Sequence, residues 1–437
     1  METVASREME PPAVIPLGKE EGVAVLGRTK FRRRREVFGL RPDDRRRHVA
    51  IIGKTGMGKT TLLHNLIASD IVAGRGVALI DPHGDLAESI LKTIPRHRTN
   101  DVVLFDAGDR EHPIAFNPLH CDRKEDRPLV ASGIVSAFKK LYADSWGPRL
   151  EYILRNTVLA LIETPGATLG SILRILTDIG FQKSVVSKLD DPVVRAFFEN
   201  EFAKWKPNFR SEAIAPIQNK VGQFMSNPIL RGILDQPRSR LDLREVMDQG
   251  HILIVNLSKG RVGEDASNLL GSLLVTSIQQ AAMSRADTEE AERRDFYVYV
   301  DEFQNFATES FATILSEARK YRLNLTIANQ YLAQMDETTL EAVFGNVGSL
   351  LCFQAGARDA EILAEQLAGD IEPSDVIALP KFRAYARLLI DGIPSRAFSM
   401  ETLSPQSVRR GNDRAAVIRR TSRRRYGQPA PASRSSP

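Results

Sequence analysis

Gly53-Lys54-Thr55-Gly56-Met57-Gly58-Lys59-Thr60 is the stretch on which the reading of this chain turns. It has the form G-x-x-x-x-G-K-[ST]. It stands directly after the apolar run His48-Val49-Ala50-Ile51-Ile52 and directly before Thr61-Leu62-Leu63-His64-Asn65-Leu66-Ile67. A short buried strand feeds a loop and then a helix, which is the setting a P-loop requires. The glycines let the backbone close around an anion, and successive N–H groups act together with the positive end of the helix dipole. The nucleotide-binding residues expected here are Gly53, Lys54, Thr55, Gly56, Met57, Gly58, Lys59, Thr60 and Thr61. Lys59 is to face the β- and γ-phosphates of ATP, and the Thr60 hydroxyl is to ligate Mg²⁺.

Outward from the loop, Gly76-Val77-Ala78-Leu79-Ile80-Asp81 and Asp101-Val102-Val103-Leu104-Phe105-Asp106 are continuous apolar runs ending in an acid. The first leads through Pro82-His83-Gly84-Asp85 into a helical stretch from Leu86 to Lys92. Strands that do not alternate, separated by helices, indicate a parallel sheet buried on both faces. Ligands sit at the carboxyl ends of such strands. The pattern resumes at 251–257, continues through a helix over 265–284, and reaches Phe296-Tyr297-Val298-Tyr299-Val300-Asp301-Glu302, which has the form of a Walker B strand. Asp301 is expected to hold the Mg²⁺ shell, and Glu302 to orient and polarise an attacking water. A helix over 309–321 precedes the strand Leu323-Asn324-Leu325-Thr326-Ile327-Ala328-Asn329-Gln330. Its last amide, Gln330, can sense a γ-phosphate by hydrogen bonding. Strands over 347–353 and 384–390, with a helix over 359–367 between them, complete the sheet.

Between about 121 and 247 strand signals nearly vanish and amphipathic helices take over, at 131–142, 150–163, 170–176 and 192–201. The fold class expected is α/β, with a mainly parallel sheet and an inserted all-α domain. An N-terminal arm and short β segment would occupy 1–47, the core 48–120 and 248–403, the insertion 121–247, and a disordered basic tail 404–437. Residues 1–19 read as a loose arm, and 22–27 and 36–40 as short strands.

The 437 residues carry a net charge of +5 and include two cysteines, Cys121 and Cys352, without metal-ligand spacing. That argues against a disulfide framework or zinc site and fits a reducing cytoplasm. The positive charge is local: residues 401–437 hold nine arginines against Glu401 and Asp413. A second concentration spans Arg28 to Arg47, with Arg32-Arg33-Arg34-Arg35 and Arg45-Arg46-Arg47. Such runs read as phosphate-contacting patches, or as solvated faces where no polyanion is present. No run approaches the roughly 18 apolar residues that span a bilayer, and the N-terminus has no signal-peptide core. A cytoplasmic chain, recruited to the inner membrane by a partner, is the expectation.

Gly53 to Thr60, Asp81-Pro82-His83-Gly84-Asp85, Phe116-Asn117-Pro118-Leu119, Asp301-Glu302-Phe303 and Asn329-Gln330 occur in the order seen in the HerA/FtsK superfamily of ring-forming motors. Within it the chain resembles the conjugative coupling proteins of type IV secretion systems, the VirD4/TraD/TraG type, over roughly residues 22–400. The resemblance implies a RecA-like P-loop NTPase core carrying an all-α domain, assembled as a homohexamer around DNA, with ATP between subunits. It also implies an arginine reaching the γ-phosphate from the neighbour. Arg319, in Ala318-Arg319-Lys320, is the first candidate for that finger, and Arg358 the second. A relaxase or secreted nucleoprotein and the type IV secretion components are the implied partners. Most coupling proteins begin with transmembrane helices, and this sequence departs from that pattern.

The function expected is thus an ATP-hydrolysing DNA translocase. A VirB4-like assembly ATPase acting on protein is one alternative, and a nucleotide-dependent recruitment module is another. Nuclease chemistry at Asp81, His83 and Asp85 has less support, because Pro82 and Gly84 also make an ordinary strand-to-helix turn.

Overall fold

A computed structural model describes residues 6–405 and 413–428. Among the described residues thirteen strands form: β1 (Ala24–Thr29), β2 (Val37–Leu40), β3 (Val49–Ile52), β4 (Gly76–Asp81), β5 (Val102–Asp106), β6 (Ile252–Asn256), β7 (Phe296–Val300), β8 (Leu323–Asn329), β9 (Ser349–Cys352), β10 (Arg383–Arg387), β11 (Leu389–Ile390), β12 (Ile393–Pro394) and β13 (Phe398–Glu401). Eleven make one sheet in the order β2-β1-β13-β10-β9-β3-β8-β7-β4-β6-β5, while β11 and β12 pair with each other. From β9 to β6 the strands run parallel. From β10 outward to β2 they run antiparallel. The parallel strands are buried residue for residue, as in β3, β4 and β7, because helices cover both faces of such a sheet. The strand β13 was not foreseen; its Phe398 packs edge-on against Phe38 of β2, with ring centroids 5.1 Å apart.

The chain divides into two compact units. The first comprises residues up to Leu104, Arg244–Asn256 and Ala282–Arg420; the second comprises Phe105–Leu243, Leu257–Ala281 and the described residues from Thr421 on. The first unit is the α/β sheet. Its core runs from Leu62, Leu66 and Ile67 on the helix Lys59–Val72 to Ile51, Leu79, Ile254 and Tyr299 on the strands.

In the first unit the N-terminal arm is not loose from residue 6 on. Met9 and Ser399 bond to each other twice, Ser399 N–H to Met9 O at 3.1 Å and Met9 N–H to Ser399 Oγ at 2.8 Å, and Tyr385 OH donates to Arg7 O at 2.7 Å. β13 pairs with β1 only at Met400 and Glu401, and the arm takes up the backbone of Ser399 beyond that pairing. In the Arg45-Arg46-Arg47 run the first two arginines are structural, while Arg47 is exposed. Arg45 is buried, bonding both oxygens of Asp70 at 2.8 Å and Tyr299 OH at 2.7 Å, with its guanidinium 4.0 Å from the Tyr297 ring centre. Arg46 pairs with Asp295 at 2.8 Å. In the first run, Arg34 pairs with Glu36 and Arg35 with Glu401.

The second unit is helical, built on Arg127–Leu141, Pro148–Ile162 and Pro207–Ser226 among others. Phe197, Phe198, Phe202 and Trp205 pack ring against ring within it. The Phe116-Asn117-Pro118-Leu119 motif is buried, its Asn117 donating to Ala167 O at 2.9 Å and accepting from Leu119 N–H at 3.1 Å. The expected boundaries of 121 and 247 differ from those of this unit, which starts at Phe105 and takes in 257–281.

The tail is not uniformly disordered. Ala415–Tyr426 is a helix. In the first unit its Ile418 is fully buried and Arg419 pairs with Glu88. In the second, Ser422 is buried and Arg423 reaches Asp109 at 2.7 Å. The rest of the expected disordered tail, 406–412 and 429–437, lies outside the described residues. So do residues 1–5 of the arm.

Candidate functional site

β3 sits between β8 and β9 and ends at Ile52, so the loop that follows leaves the sheet at the carboxyl edge of its parallel strands. Neighbours fix where it leaves: Gly53 N–H donates to Asn329 O at 3.2 Å and Lys54 N–H to Gln354 O at 2.8 Å. Gly56 and Gly58 take φ of 78° and 125°, and Gly58 precedes the helix Lys59–Val72. A Cβ at Gly53 would stand 2.5 Å from Cβ of Phe353, so only glycine fits. Bonds to neighbours occupy the N–H groups of Gly53, Lys54 and Met57. The remaining loop amides and the first helical turn are the donors available to an anion.

The loop forms one wall of a cleft of about 480 Å³, a size that takes a small-molecule ligand. Thr55, Gly56, Gly58, Lys59, Thr60 and Thr61 line it, facing Asp81 from the end of β4, Asp301 and Glu302 from the end of β7, and Gln330 from the end of β8. Gly53, Lys54 and Met57 belong to the loop but not to the lining. Lys59 is buried; its Nζ donates to Gly53 O and, at 3.3 Å, to Lys54 O. Burial pushes its pKa down, against the pull of Glu302 and Asp301.

Asp301 is buried, which pushes its carboxyl up to about 7; Asp81 and Glu302 push the same way, and Lys59 opposes. Glu302 adopts φ 47°, the left-handed region that is costly for a residue with a Cβ, and Gln304 Nε2 donates to its Oε2 at 2.6 Å. The side-chain amide of Gln330 donates to Tyr331 OH at 2.8 Å.

Asp81 accepts His83 N–H at 2.8 Å and Ala87 N–H at 2.9 Å, so it ties the turn before the helix Asp85–Thr93. This supports the turn reading of Asp81-Pro82-His83-Gly84-Asp85 over a nuclease one. Among the described residues no group of three or more His, Cys, Asp and Glu side chains is placed to hold a metal by itself. The donor set of Thr60 hydroxyl and Asp301 carboxylate is oxygen throughout, which suits Mg²⁺ accompanied by phosphate ligands.

Arg319 is not in the cleft. It is exposed in the turn Ala318–Tyr321, just ahead of the first residue of β8 and so at the opposite edge of the sheet. Arg358 is exposed in the first turn of the helix Ala357–Leu367, which follows β9 at the same edge as the cleft. Sequence reading missed Gln304, Lys381 and Phe382. Gln304 was open to inspection, two residues past Glu302. Nothing local marked Lys381 and Phe382, which the turn before the antiparallel strand β10 brings into the lining.

The family described as the central domain of the helicase HerA matches residues 38–278. A second, the TraM recognition site of TraD and TraG, matches 295–370. The type 4 coupling protein DotL of Legionella pneumophila is 22% identical over 377 residues, covering 71% of this chain and 48% of that protein. The chain thus spans about half the length of this curated relative. In structure it is similar to the plasmid coupling protein TrwB in complex with the non-hydrolysable ATP analogue ADPNP. The TM-score is 0.64 at 16% identity, over 93% of this chain and 96% of that one. It is also similar to VirB4 of Thermoanaerobacter pseudethanolicus, with a TM-score of 0.56 at 12% identity, over 88% and 97%. At these identities the likeness to solved structures is one of fold: a RecA-like α/β core with a large, mostly parallel sheet.

Proposed function

Because the chain belongs to the HerA helicase central-domain family, we propose that it hydrolyses ATP in this cleft and works as the motor of a coupling protein in conjugation or type IV secretion. One observation carries the reading: Lys59 of the P-loop and Asp301 and Glu302 of the Walker B strand line a single cleft sized for a small ligand. Lys59 and the loop amides bind the phosphates. Thr60 and Asp301 would hold Mg²⁺, which supplies charge neutralisation at the phosphate oxygens. Glu302, kept in place by Gln304, accepts a hydrogen bond from the attacking water and aligns it. Gln330 senses the γ-phosphate from the end of β8. Arg319 belongs to the site of a neighbouring subunit in a homohexamer around DNA.

The relatives support the wider setting: TrwB forms complexes with ADP and Mg²⁺ and with ATP and GTP analogues, and DotL is a type 4 coupling protein. A relaxase or secreted nucleoprotein and type IV secretion components are the partners this implies. No helix among the described residues is long and apolar enough to cross a membrane. Recruitment to the inner membrane by a partner is part of the proposal.

ATP turnover measured without DNA, with single-stranded DNA and with double-stranded DNA, with Glu302→Gln as the blank, tests it. DNA stimulation lost in the blank supports a DNA motor, whereas turnover indifferent to DNA points to protein assembly or recruitment. Lys59→Ala should abolish turnover in a folded chain; near-normal turnover would sink the P-loop assignment.

A further inference from the structure

The strand order gives the cleft two unlike flanks. On one side of β3 lie β8, β7 and β4, whose carboxyl ends supply Gln330, Asp301, Glu302 and Asp81. On the other side lie β9 and, antiparallel to it, β10. Because β10 is antiparallel, the turn before its first residue, not its end, arrives at the P-loop edge. That turn brings Lys381 and Phe382 into the lining.

Phe382 is held there at a cost. Its φ is 64°, a conformation a bulky L-residue adopts only when its surroundings impose it. The surroundings are two backbone bonds, Phe382 N–H to Met57 O of the P-loop at 2.8 Å and Thr402 N–H to Phe382 O at 2.9 Å. The ring is brought so close that a Cβ on Gly58 would lie 3.1 Å from its Cδ1. It is nevertheless 40% exposed, an aromatic face left open beside a polar cleft. The Lys381 ammonium stands over the same ring, 4.9 Å from its centre, and is itself exposed. A core role explains neither the exposed face nor the strained backbone that presents it.

We propose that Phe382 and Lys381 form the nucleoside wall of the cleft: the Phe382 ring stacks on the base, and the Lys381 ammonium meets the adjoining α-phosphate. This rests on the nucleotide-binding reading above and extends it to the half of the ligand that the P-loop does not touch. On that reading a cation held by Thr60 and Asp301 would draw the γ-phosphate end toward β7, which leaves the nucleoside toward β10. A ring face meets every base alike, so the wall favours nucleotide over free phosphate chains without selecting one purine. Lys381 adds a charge-assisted contact that either source of phosphate can use.

Equilibrium binding of ATP, GTP and inorganic tripolyphosphate to the full chain separates the parts. Phe382→Ala should weaken ATP and GTP about tenfold each and leave tripolyphosphate within about twofold, while Phe382→Tyr retains wild-type affinity. Lys381→Gln should weaken all three. Unchanged ATP affinity in Phe382→Ala would overturn the wall. So would an equal loss of ATP and tripolyphosphate, because Phe382 would then act only by shaping the P-loop. Wild-type chain that binds neither ATP nor tripolyphosphate would instead remove the nucleotide reading itself. Wild-type binding of tripolyphosphate as tight as that of ATP would leave the P-loop intact and refute the wall alone.

Discussion

Asp301→Asn should stabilise the nucleotide-free chain at pH 8. Asp301 is 6% exposed, and its carboxyl is pushed from the ordinary 3.8 to about 7 by burial, then by Asp81 and Glu302. At 1.36 kcal/mol for each tenfold change in proton affinity, carrying that charge costs the fold about 4 kcal/mol once it is fully ionised. Asparagine has the same shape and keeps an acceptor for the Glu302 N–H that Asp301 Oδ1 accepts at 3.1 Å, so about 2–4 kcal/mol of this should return. The folded-state value lies above the unfolded one. Between about pH 4 and 7 the folded chain therefore holds a proton that the unfolded chain has lost, and wild-type stability falls as pH rises through that window and stays low above it. The advantage of asparagine should accordingly shrink to about 1–2 kcal/mol at pH 5. Both tryptophans, Trp146 and Trp205, lie in the helical unit, so their fluorescence is the wrong probe. Amide exchange in β7 and β8, comparing mutant and wild type at each pH, reads the relevant stability directly. A mutant no more protected than wild type at pH 8, or an advantage that does not change between pH 5 and 8, would refute the reasoning.

His48 has the opposite sign. It is buried, its pKa is lowered to about 4, and its Nδ1 accepts Leu325 N–H at 3.1 Å, so it is neutral and contributes stability that is lost as pH falls from about 6.5 to 4. Below pH 6 wild-type β8 amides should lose up to about 3 kcal/mol of protection that His48→Gln does not lose; parallel profiles would count against it. Arg45→Met should cost about 3–5 kcal/mol in thermal unfolding by leaving the fully buried Asp70 short of its main partner, and Asp70→Leu in the same chain should recover most of that. A double mutant no better than the single would show that the pair does not act as a unit. Mg²⁺·ATP binding should release roughly three-quarters of a proton near pH 6.5, because bringing a cation to Asp301 lowers its raised pKa; calorimetry in two buffers of different ionisation enthalpy checks this, and equal heats would contradict it.

The parallel half of the fold was open to reading because its signals are local. Ile51, Leu79, Ile254 and Val298 lie in short continuous apolar runs, each buried on both faces and bounded by turn residues or acids. What escaped depends on distance in the chain. The helix Pro207–Ser226 of the second unit lies outside the helices expected there; Pro216 stands inside it, where an interior proline ordinarily breaks a helix, and the buried Ile214, Ile217 and Val221 pack on both sides of it. The helix Ala415–Tyr426 was hidden by its arginines. Composition averaged over the tail conceals that Ile418 and Ser422, four residues apart, share one buried face. Arg45 misled for the converse reason: a run of like charges does not reveal that one member will be drawn inward by Asp70 and Tyr299. In the cleft, motifs located the phosphate and water-facing residues, but the antiparallel return that delivers Phe382 leaves no local mark.

The placement of Arg319 constrains any assembly in which it acts. It precedes β8, while the cleft lies past the other end of that strand, seven residues on, or about 20 Å at the rise of a β-strand. No side chain crosses that distance, so Arg319 cannot serve its own chain's nucleotide. If it serves a neighbour's, the amino edge of one sheet must face the carboxyl edge of the next. Such an interface joins two different surfaces and is heterologous, the kind that closes into a ring when the rotation per subunit divides the circle. Arg358, at the same edge as the cleft, demands no such arrangement. The choice between the two arginines therefore bears on the interface: a role for Arg319 requires a head-to-tail ring, whereas an isologous pairing of cleft edges could use only Arg358.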